Sequence, residues 1–470
     1  MSIKPALTFI DLFAGAGGFS LGFTRAGFEC VGAIENNPKA SESYRVNFPE
    51  HSQLPLSCLG PIDGNILSLN QDDIKKSLRK RGFLEVDVLL AGPPCQGFSK
   101  IGRGKLDHLA NRNGAFKSDP RNNLYLKFLD MLNWARPRSF LFENVTGILR
   151  LAGTNVAETI CEGAARAGYD VKCTILNSAW FGVPQSRERL FILGFRSDQK
   201  VAPTFPLPIH RVVLNTGHLS EAKVLRNYFR NPDFFVRSET PQIGPKAVSV
   251  ADAIGDLPRL FSHLNNPNYR PIRSLFPPQP YRQGRPGSYA SLMRKWDDTL
   301  ESTKATDHYC RWTPRDFDTF GLMQPGDKYP QAVEIAKLRY EEAKRLYAQG
   351  LLDVPPRRKA FVPPYRLGTF DEKWWKLIPS QPSWTITAHL GRDCYSHIHY
   401  DSQKRSITVR EAARLQSFPD AFVFSGNMGD CFKQIGNAVP PLLSYALALH
   451  IQSLLMPGEK RSLLKGDFTS

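Results

Sequence analysis

The sequence predicts an α/β fold with a mostly parallel central sheet, followed by a smaller and irregular second domain. Two observations predict the sheet: short apolar runs recur through residues 1–195, and helical patterns separate them. Strands that alternate with helices indicate a parallel sheet covered on both faces. A third observation predicts the second domain, because regular patterning stops after residue 195 and prolines and basic residues become frequent.

Four apolar runs are the candidate strands, and each ends in a glycine-rich or polar loop: residues 7–13, 30–34, 86–91 and 138–145. The stretch after Asn123 predicts a helix whose apolar face is formed by Leu124, Phe128, Leu129 and Leu132. In parallel sheets, ligands bind beyond the carboxyl ends of the strands. The loops that follow the four runs are therefore the expected place of a functional site.

Residues 196–400 form the predicted second domain. Between 196 and 300 there are 15 Lys and Arg against 8 Asp and Glu, and no helical or strand period persists. The whole chain of 470 residues carries a formal net charge of +17. Such an excess favours a polyanionic partner, because each neutralised phosphate releases condensed counterions. A merely basic soluble protein is the alternative.

Regular patterning returns in residues 401–470, which we expect to complete the first domain. Residues 408–418 predict a helix capped by Thr408, and residues 442–455 predict a packed helix with its leucines on one face. No apolar run reaches the roughly 18 residues of a membrane span. Asp11 interrupts the apolar start, which argues against a cleaved signal peptide. We therefore expect an intracellular, cytoplasmic protein without membrane association.

Eight cysteines are scattered through the chain without a CxxC pair. Such cysteines in an intracellular protein are usually reduced core residues, so we expect neither disulfides nor a metal site. Cys95 is the exception, because it follows Pro93 and Pro94 directly after a buried apolar run. The two prolines stiffen the loop. A thiol held there is well placed for nucleophilic attack if its pKa is low enough to give a thiolate.

The stretch DLFAGAGGFSLGF, residues 11–23, follows the first strand with several glycines. Glycines at 15, 17 and 18 allow a tight turn and a close approach of the backbone to a ligand. Glu35 ends the next strand, where a carboxylate can accept both ribose hydroxyls of a nucleoside cofactor. A nicotinamide dinucleotide site is the alternative, although the G-x-G-x-x-G spacing is absent.

Four further motifs accompany this opening: AGPPCQGFS (91–99), FENV (142–145), PQSRERLFILG (184–194) and KQIGNAVPP (433–441). In this order and spacing the set resembles the cytosine-5 DNA methyltransferase family, of the prokaryotic restriction-modification type. The resemblance covers residues 9–195 and 384–445, and residues 196–400 would correspond to the family's target-recognition domain. It implies a Rossmann-like S-adenosylmethionine-dependent methyltransferase fold that methylates carbon 5 of a flipped-out cytosine in a specific double-stranded DNA sequence.

The resemblance assigns catalytic roles to four residues. Cys95 would attack C6 of cytosine, and Glu143 would face N3 and the 4-amino group. A carboxyl group that donates to N3 must be protonated, so we expect a raised pKa for Glu143 in the closed complex. Arg187 and Arg189 would contact cytosine O2 and the active-site loop, and on a strand their period of 2 would place both guanidinium groups on one face. Which arginine contacts the base stays open, and either could pair with Glu143 or a phosphate instead.

The resemblance also implies a larger set of ligand contacts. The family usually has Asp where this chain has Asn65, whose side-chain oxygen can still accept from the adenine amine. The implied S-adenosylmethionine contacts are Phe13, Gly15, Gly17, Gly18, Glu35, Asn65, Ile66, Pro93, Asn123, Leu124, Asn437 and Val439. The implied DNA contacts are Gln96, Ser99, Arg103, Lys105 and Arg392.

Residues 99–120 are rich in glycine and basic residues, which predicts a loop that closes over the flipped base. A disordered surface loop is the alternative. We expect a monomer that acts on nucleoid DNA, because the fold closes its own site. A cognate restriction or defence system acting on the same DNA site is a further expected partner.

Three other functions remain as alternatives. A tRNA cytosine-5 methyltransferase would share GPPCQ and ENV, but the long basic insert favours duplex DNA. A regulatory homologue that only binds nucleic acid typically loses the nucleophile, whereas Cys95 and Glu143 are present. A nicotinamide dehydrogenase would leave GPPCQGFS unexplained. The acceptor of the C5 proton stays open between a side chain and a water.

Overall fold

The computed structural model describes residues 6–52, 66, 71–94, 124–150, 154–212, 226–238, 244–266, 268–368 and 371–457. The chain divides into two compact units. The first unit comprises residues 1–247, 423–425 and 437–470, and the second comprises residues 248–422 and 426–436. The functional limits 196–400 of a target-recognition domain stay a prediction.

In the described part of the chain, the first unit is built on a six-stranded sheet: β1 (Thr8–Leu12), β2 (Glu29–Ile34), β3 (Val88–Ala91), β4 (Ser139–Asn144), β5 (Tyr169–Asn177) and β7 (Glu188–Arg196). The short strand β6 (Gln185–Ser186) precedes β7 in the chain and lies outside this sheet. Among the described residues its order is β2-β1-β3-β4-β7-β5. Strands β1 to β4 are parallel, which confirms the mostly parallel sheet. Strand β7 is antiparallel to both neighbours. Its connection from β5 is too short for the crossover that a parallel pair needs.

The register aligns the carboxyl ends of the four parallel strands. Leu12 at the end of β1 pairs with Ile34 and with Ala91, and Ala91 pairs with Phe142. Because β7 runs the other way and Glu143 pairs with Phe191, β7 begins at this same edge. The residues that follow β1 to β4 and those that start β7 therefore converge at one edge of the sheet.

The helices of the first unit before residue 247 are α1 (Gly18–Arg25), α2 (Pro38–Asn47), α3 (Pro49–Ser52), α4 (Gln71–Lys80), α5 (Leu124–Ala135) and α6 (Val156–Arg166). On α5, Leu124, Phe128 and Leu132 are buried, which confirms the apolar face predicted there. They join the hydrophobic core against the sheet, together with Phe140 and Phe142 of β4.

The second unit contains mostly short elements: α7 (Val250–Ile254), α8 (Ser262–Asn265), α9 (Ser288–Arg294), α10 (Phe317–Leu322), α11 (Tyr329–Ala348), α12 (Val409–Leu415), β8 (Gln279–Pro280), β9 (Lys304–Ala305) and β10 (Ser383–Trp384), followed by α13 (Met428–Asn437). Helix α11, with 20 residues, departs from the irregular texture expected there. Its buried face consists largely of Ala332, Val333, Ala336 and Ala343, so it shows no strong apolar period. The cap predicted for α12 is confirmed, because Thr408 Oγ1 accepts the Glu411 N–H at 3.1 Å.

The last described helix of the first unit is α14 (Pro441–Leu455). It packs against α1, where Ser444 Oγ donates to the Phe19 carbonyl at 2.8 Å. Buried residues surround most of α14, so its apolar surface is wider than the single face predicted. The segment Met428–Leu455 is long and apolar enough to cross a membrane by composition, yet 61% of its apolar window is buried in the fold. Burial of this kind is expected for core helices of a water-soluble protein.

Candidate active site

The turn after β1 is organised around the carboxylate of Glu35, the first residue after β2. The Gly15 N–H donates to its Oε2 at 2.9 Å, and the Asn37 N–H donates to its Oε1 at 2.6 Å. Phe13 and Gly15 both adopt left-handed backbone angles, with φ of 64° and 59°. Each carboxylate oxygen has a second lone pair, so Glu35 can still accept hydrogen bonds from a ligand.

The three glycines of this turn serve different purposes. A Cβ on Gly18 would lie 2.2 Å from the Val439 carbonyl oxygen, and one on Gly17 would lie 2.4 Å from the Phe48 ring. These two glycines therefore permit close packing within the protein. A Cβ on Gly15 would meet no atom of the residues that the structure describes within 4 Å. The space open to a ligand at this turn thus lies beside Gly15.

Glu143 is the last residue but one of β4 and is itself almost fully buried. Its Oε1 lies 3.1 Å from Nε of Arg189, near the start of β7. Burial raises the pKa of Glu143 above its ordinary value, against the opposing effect of the positive charges of Arg189 and Arg187. The raised pKa expected for Glu143 in the closed complex with DNA stays a prediction. The protonated form of a carboxyl group can donate a hydrogen bond, whereas the ionised form only accepts.

The two arginines do not belong to one strand, contrary to the prediction. Strand β6 ends at Ser186 and β7 begins at Glu188, so Arg187 lies between them. The Arg187 carbonyl accepts the Ser178 N–H at 2.9 Å, and its side chain is buried. Both arginines nevertheless act on the charge of Glu143. Of the roles left open for Arg189, the structure contains the ion pair with Glu143.

The loop that leads to the predicted nucleophile begins beside Glu143. A Cβ built on Gly92, the first residue after β3, would lie 3.7 Å from Glu143 Oε2. The Pro93 carbonyl accepts a hydrogen bond from Asn144 Nδ2 at 3.3 Å. Pro93 is buried and Pro94 is exposed. Residues 142–145 and the start of the GPPC loop are therefore held together at the edge of the sheet where the parallel strands end. We call this the carboxyl edge.

Other predicted contacts are distributed more widely. Ile66 and Leu124 are buried in the hydrophobic core, Val439 is buried against α1, and Asn437 is exposed. Their contacts with a cofactor stay predictions. Seven predicted residues lie outside the described part of the chain: Asn65, Cys95, Gln96, Ser99, Arg103, Lys105 and Asn123. The predicted lid over residues 99–120 also lies there.

Arg392, a predicted DNA contact, belongs to the second unit and is exposed. In the described chain it forms no ion pair. The turn before it is held in place, because Arg311 Nη2 donates to the Gly391 carbonyl at 2.8 Å.

Comparison with known proteins identifies the group to which the chain is related. Residues 7–453 match the family model described as C-5 cytosine-specific DNA methylase. The chain belongs to this family. Its enzyme class is DNA (cytosine-5)-methyltransferase, of the restriction-modification type. The edge of the sheet where β1 to β4 end and β7 begins is therefore the part of the fold where its chemistry is to be sought.

Individual relatives cover almost the whole methyltransferase chain. A relative from Oceanobacillus iheyensis, whose name places it among type II methyltransferases, is 37% identical over 450 residues, covering 93% of this chain and 94% of the relative. The type II methyltransferase M.AgeI of Thalassovita gelatinovora is 32% identical, with coverage of 93% and 97%. A crystal structure described as a DNA modification methyltransferase of an E. coli prophage has the same fold, with a TM-score of 0.62 at 21% identity, covering 96% and 99%.

The methyltransferase has one buried carboxyl group near this edge that the sequence reasoning did not assign to the site. Asp11, inside β1, is fully buried and accepts a hydrogen bond from Ser20 Oγ at 2.7 Å. Ser20 Oγ lies 2.9 Å from the Tyr44 hydroxyl, so the group belongs to a buried polar network behind the glycine turn. Burial raises the pKa of Asp11 to about 7. An acidic residue inside an apolar strand was the available signal, since such a group needs a partner or a proton.

Proposed function

We propose that this methyltransferase transfers a methyl group to carbon 5 of a flipped-out cytosine in a specific double-stranded DNA sequence, through a covalent bond between Cys95 and C6. The observation that carries the proposal is the position of Glu143. Its buried carboxyl group lies beside Arg189 and beside Gly92, where the GPPC loop starts. Cys95 follows Pro94 directly in the sequence.

The residues around Glu143 suit each step of this chemistry. The Cys95 thiolate adds to C6, while the Glu143 carboxyl group donates a proton or hydrogen bond at N3, and C5 becomes nucleophilic. C5 then takes the methyl group. A base, water included, removes the C5 proton, the C6–S bond breaks to return the thiolate, and the N3 proton goes back to Glu143. Arg189 holds Glu143 in place and adds positive charge near the pyrimidine.

S-adenosylmethionine fits the turn after β1. The space beside Gly15 is open, because a Cβ built there meets no described atom. This space lies next to the carboxylate of Glu35, which can accept hydrogen bonds from ribose hydroxyls. Phe13 follows β1 at the same edge. Bound there, S-adenosylmethionine supplies the electrophilic methyl group. Of the predicted contacts, Phe13, Gly15 and Glu35 are the ones we assign to it directly, whereas Gly17 and Gly18 shape the turn.

Trapping on a fluorinated substrate tests the proposal. The protein is incubated with methyl-labelled S-adenosylmethionine and mixed-sequence duplex DNA containing 5-fluorocytosine, beside a Cys95→Ser control and unsubstituted DNA. Fluorine cannot leave as a proton does, so we expect a labelled covalent complex on the fluorinated duplex alone, and none with Cys95→Ser. A complex on fluorinated tRNA and not on DNA would transfer the function to RNA. Absence of a complex on both would refute the covalent mechanism.

We also propose that the enzyme shares its DNA site with a restriction or defence partner, acting as a monomer on nucleoid DNA in the cytoplasm. Similarity to type II methyltransferases over more than nine-tenths of the chain supports the part of this proposal that concerns a shared DNA site. Bisulfite sequencing of DNA from cells expressing the gene would give the methylated sequence. Plasmid from those cells should resist an endonuclease that cuts this sequence. Cleavage equal to that of unmethylated plasmid would contradict the protective role.

A further inference from the structure

The segment that follows helix α11 in the second unit has an unusual charge. Residues 355–368, with the sequence PPRRKAFVPPYRLG, contain four basic residues and no acidic one. Arg357, Arg358, Lys359 and Arg366 are all exposed. We call this stretch the basic segment. In the described part of the chain none of these four side chains forms an ion pair.

The charges of the preceding helix are arranged differently. On α11, Lys337 pairs with Glu334 at 2.8 Å, Lys344 pairs with Glu341 at 2.8 Å, and Arg345 pairs with Glu342 at 2.7 Å. These exposed cations already have a neighbouring carboxylate. A DNA phosphate that approached the cations of α11 would compete with their glutamate partners. The cations of the basic segment would give up only water and counterions.

The backbone of the basic segment is ordered. The N–H groups of Ala360 and Phe361 donate to the carbonyls of Arg357 and Arg358 at 2.8 and 3.1 Å. The Phe361 ring packs on Tyr340 of α11 with a centroid distance of 5.8 Å, and Val362 is buried.

A second anchor lies further along the segment. The Tyr365 carbonyl accepts from the Tyr329 hydroxyl at 2.7 Å, which ties it to the first turn of α11. The cations are therefore presented on a fixed backbone, so binding a rigid polyanion would cost little ordering entropy.

We infer that the basic segment binds the phosphate backbone of duplex DNA, through Arg357, Arg358 and Lys359 and with Arg366 as a further contact. The inference rests on the proposed function, which makes duplex DNA the substrate. It names the chemistry of the contact: point charges that neutralise phosphates and add affinity independently of sequence. These residues would thus differ in role from side chains that contact base edges and give sequence specificity.

Salt dependence of DNA binding tests the inference. Each neutralised phosphate adds about 0.9 to the slope of log K against log salt concentration. The measurement is fluorescence anisotropy of a mixed-sequence duplex of about 30 base pairs, long enough for a typical interface. We expect R357A/R358A/K359A to lower the slope by about 2 to 3. The matched control, K337A/K344A/R345A, removes the same charge from the paired cations of α11 and should change the slope by less than about 0.5.

A third variant, R357K/R358K/K359R, keeps the charge and should keep the wild-type slope. Equal slopes for the two alanine triples would overturn the inference, because net charge alone would then explain the effect. Loss of slope in the charge-conserving variant would overturn it too, as would an effect seen with an RNA hairpin and not with duplex DNA. Wild-type protein that binds DNA without methylating it would refute the proposed function, while the comparison of slopes would still decide the inference.

Discussion

At the scale of single residues, Glu143 shows how burial and charge oppose each other in this site. Burial favours its neutral form, and Arg189 and Arg187 favour the carboxylate. The net effect is a raised pKa, so the protonated form persists to a higher pH than for an exposed glutamate. A reaction that needs the Glu143 proton should therefore lose rate as the pH rises through this pKa.

Replacing Glu143 with Gln removes the proton and keeps the shape of the side chain. We expect methylation of DNA to fall by about 100- to 10,000-fold, the range typical for loss of a general acid. The declining limb of the pH profile at higher pH should disappear. Labelled methyl incorporation measures the rate, and calorimetry should give an unchanged affinity for S-adenosylmethionine. A variant that methylates within about fivefold of wild type would exclude the assigned role.

Asp11 gives a prediction about stability rather than turnover. Its pKa is raised from 3.8 to about 7 by burial, so between these values the folded state holds a proton that the unfolded state has released. Stability from this group is therefore complete below pH 3.8 and is lost as the pH rises to about 7. Asp11→Asn cannot ionise and escapes this loss.

Urea unfolding at two pH values measures the difference. From pH 5 to pH 8, Asp11→Asn should gain about 2 to 3 kcal/mol relative to wild type, since the pKa gap spans about two pH units in this window. Ser20→Ala is the control, because it removes a partner of Asp11 and keeps the ionisable group. A constant difference between Asp11→Asn and wild type at both pH values would show that Asp11 has an ordinary pKa.

At the scale of elements, the turn between β1 and α1 separates two uses of glycine. Gly18→Ala places a methyl group against the Val439 carbonyl, which is backbone and cannot rotate away. Gly15→Ala places one in open space, at the cost of a left-handed alanine. The first change should affect packing, and the second should affect ligand binding.

We expect Gly18→Ala to lower the free energy of unfolding by about 1 to 3 kcal/mol, as overpacking does. Gly15→Ala should weaken binding of S-adenosylmethionine by at least about tenfold, because the added methyl group would clash with the bound cofactor. Thermal unfolding and calorimetry well below both melting temperatures separate the two effects. Equal loss of cofactor affinity in both variants would contradict this division of roles.

Much of the carboxyl edge could be predicted because it follows from local pattern. The four apolar runs became β1 to β4, and residues at or just beyond their carboxyl ends, such as Phe13, Glu35 and Glu143, come to one edge because parallel strands end together. The partner of Glu143 could not be chosen in this way. Arg189 reaches it from an antiparallel strand, and only the three-dimensional pairing of β4 with β7 sets that distance.

Helix α11 was not predicted for a different physical reason. Its buried side is lined largely by alanines, and its other positions mix charged residues with apolar ones such as Leu338 and Tyr347, so hydrophobicity does not vary strongly along it. Ile66 and Leu124 were predicted as cofactor contacts from their motifs; both side chains lie in the core, and their contacts with a cofactor stay predictions. Motif membership gives a position in the chain but not the direction of a side chain.

At the scale of the whole molecule, positive charge lies in two environments. In the basic segment the cations are exposed, whereas other cations are buried beside carboxylates. Some cations are buried in the second unit with carboxylate partners, as Arg405 is with Glu411, through two hydrogen bonds of 2.7 Å. The Arg405 charge holds the pKa of Glu411 well below its usual range. The pair therefore stabilises the fold from ordinary pH down to acidity well below the usual glutamate pKa.

Breaking that pair should be costly because it leaves a buried arginine without its counter-charge. We expect Glu411→Gln to lower the free energy of unfolding by about 3 to 5 kcal/mol. Glu334→Gln is the matched control, since it breaks the exposed pair with Lys337 and should cost less than about 1 kcal/mol. Chemical denaturation measures both. Similar values for the two variants would mean that the Arg405–Glu411 pair contributes no more than a surface pair.

The packing of α14 on α1 has a consequence for synthesis of the enzyme on the ribosome. Gly18 meets Val439, and Phe19 meets Ser444, across more than four hundred residues of chain. The glycine turn is thus translated more than four hundred residues before the helix that covers it. A nascent chain must keep the apolar face of α1 uncovered while those residues are translated, and a chain truncated before residue 437 would lack the helix that supports the glycine turn.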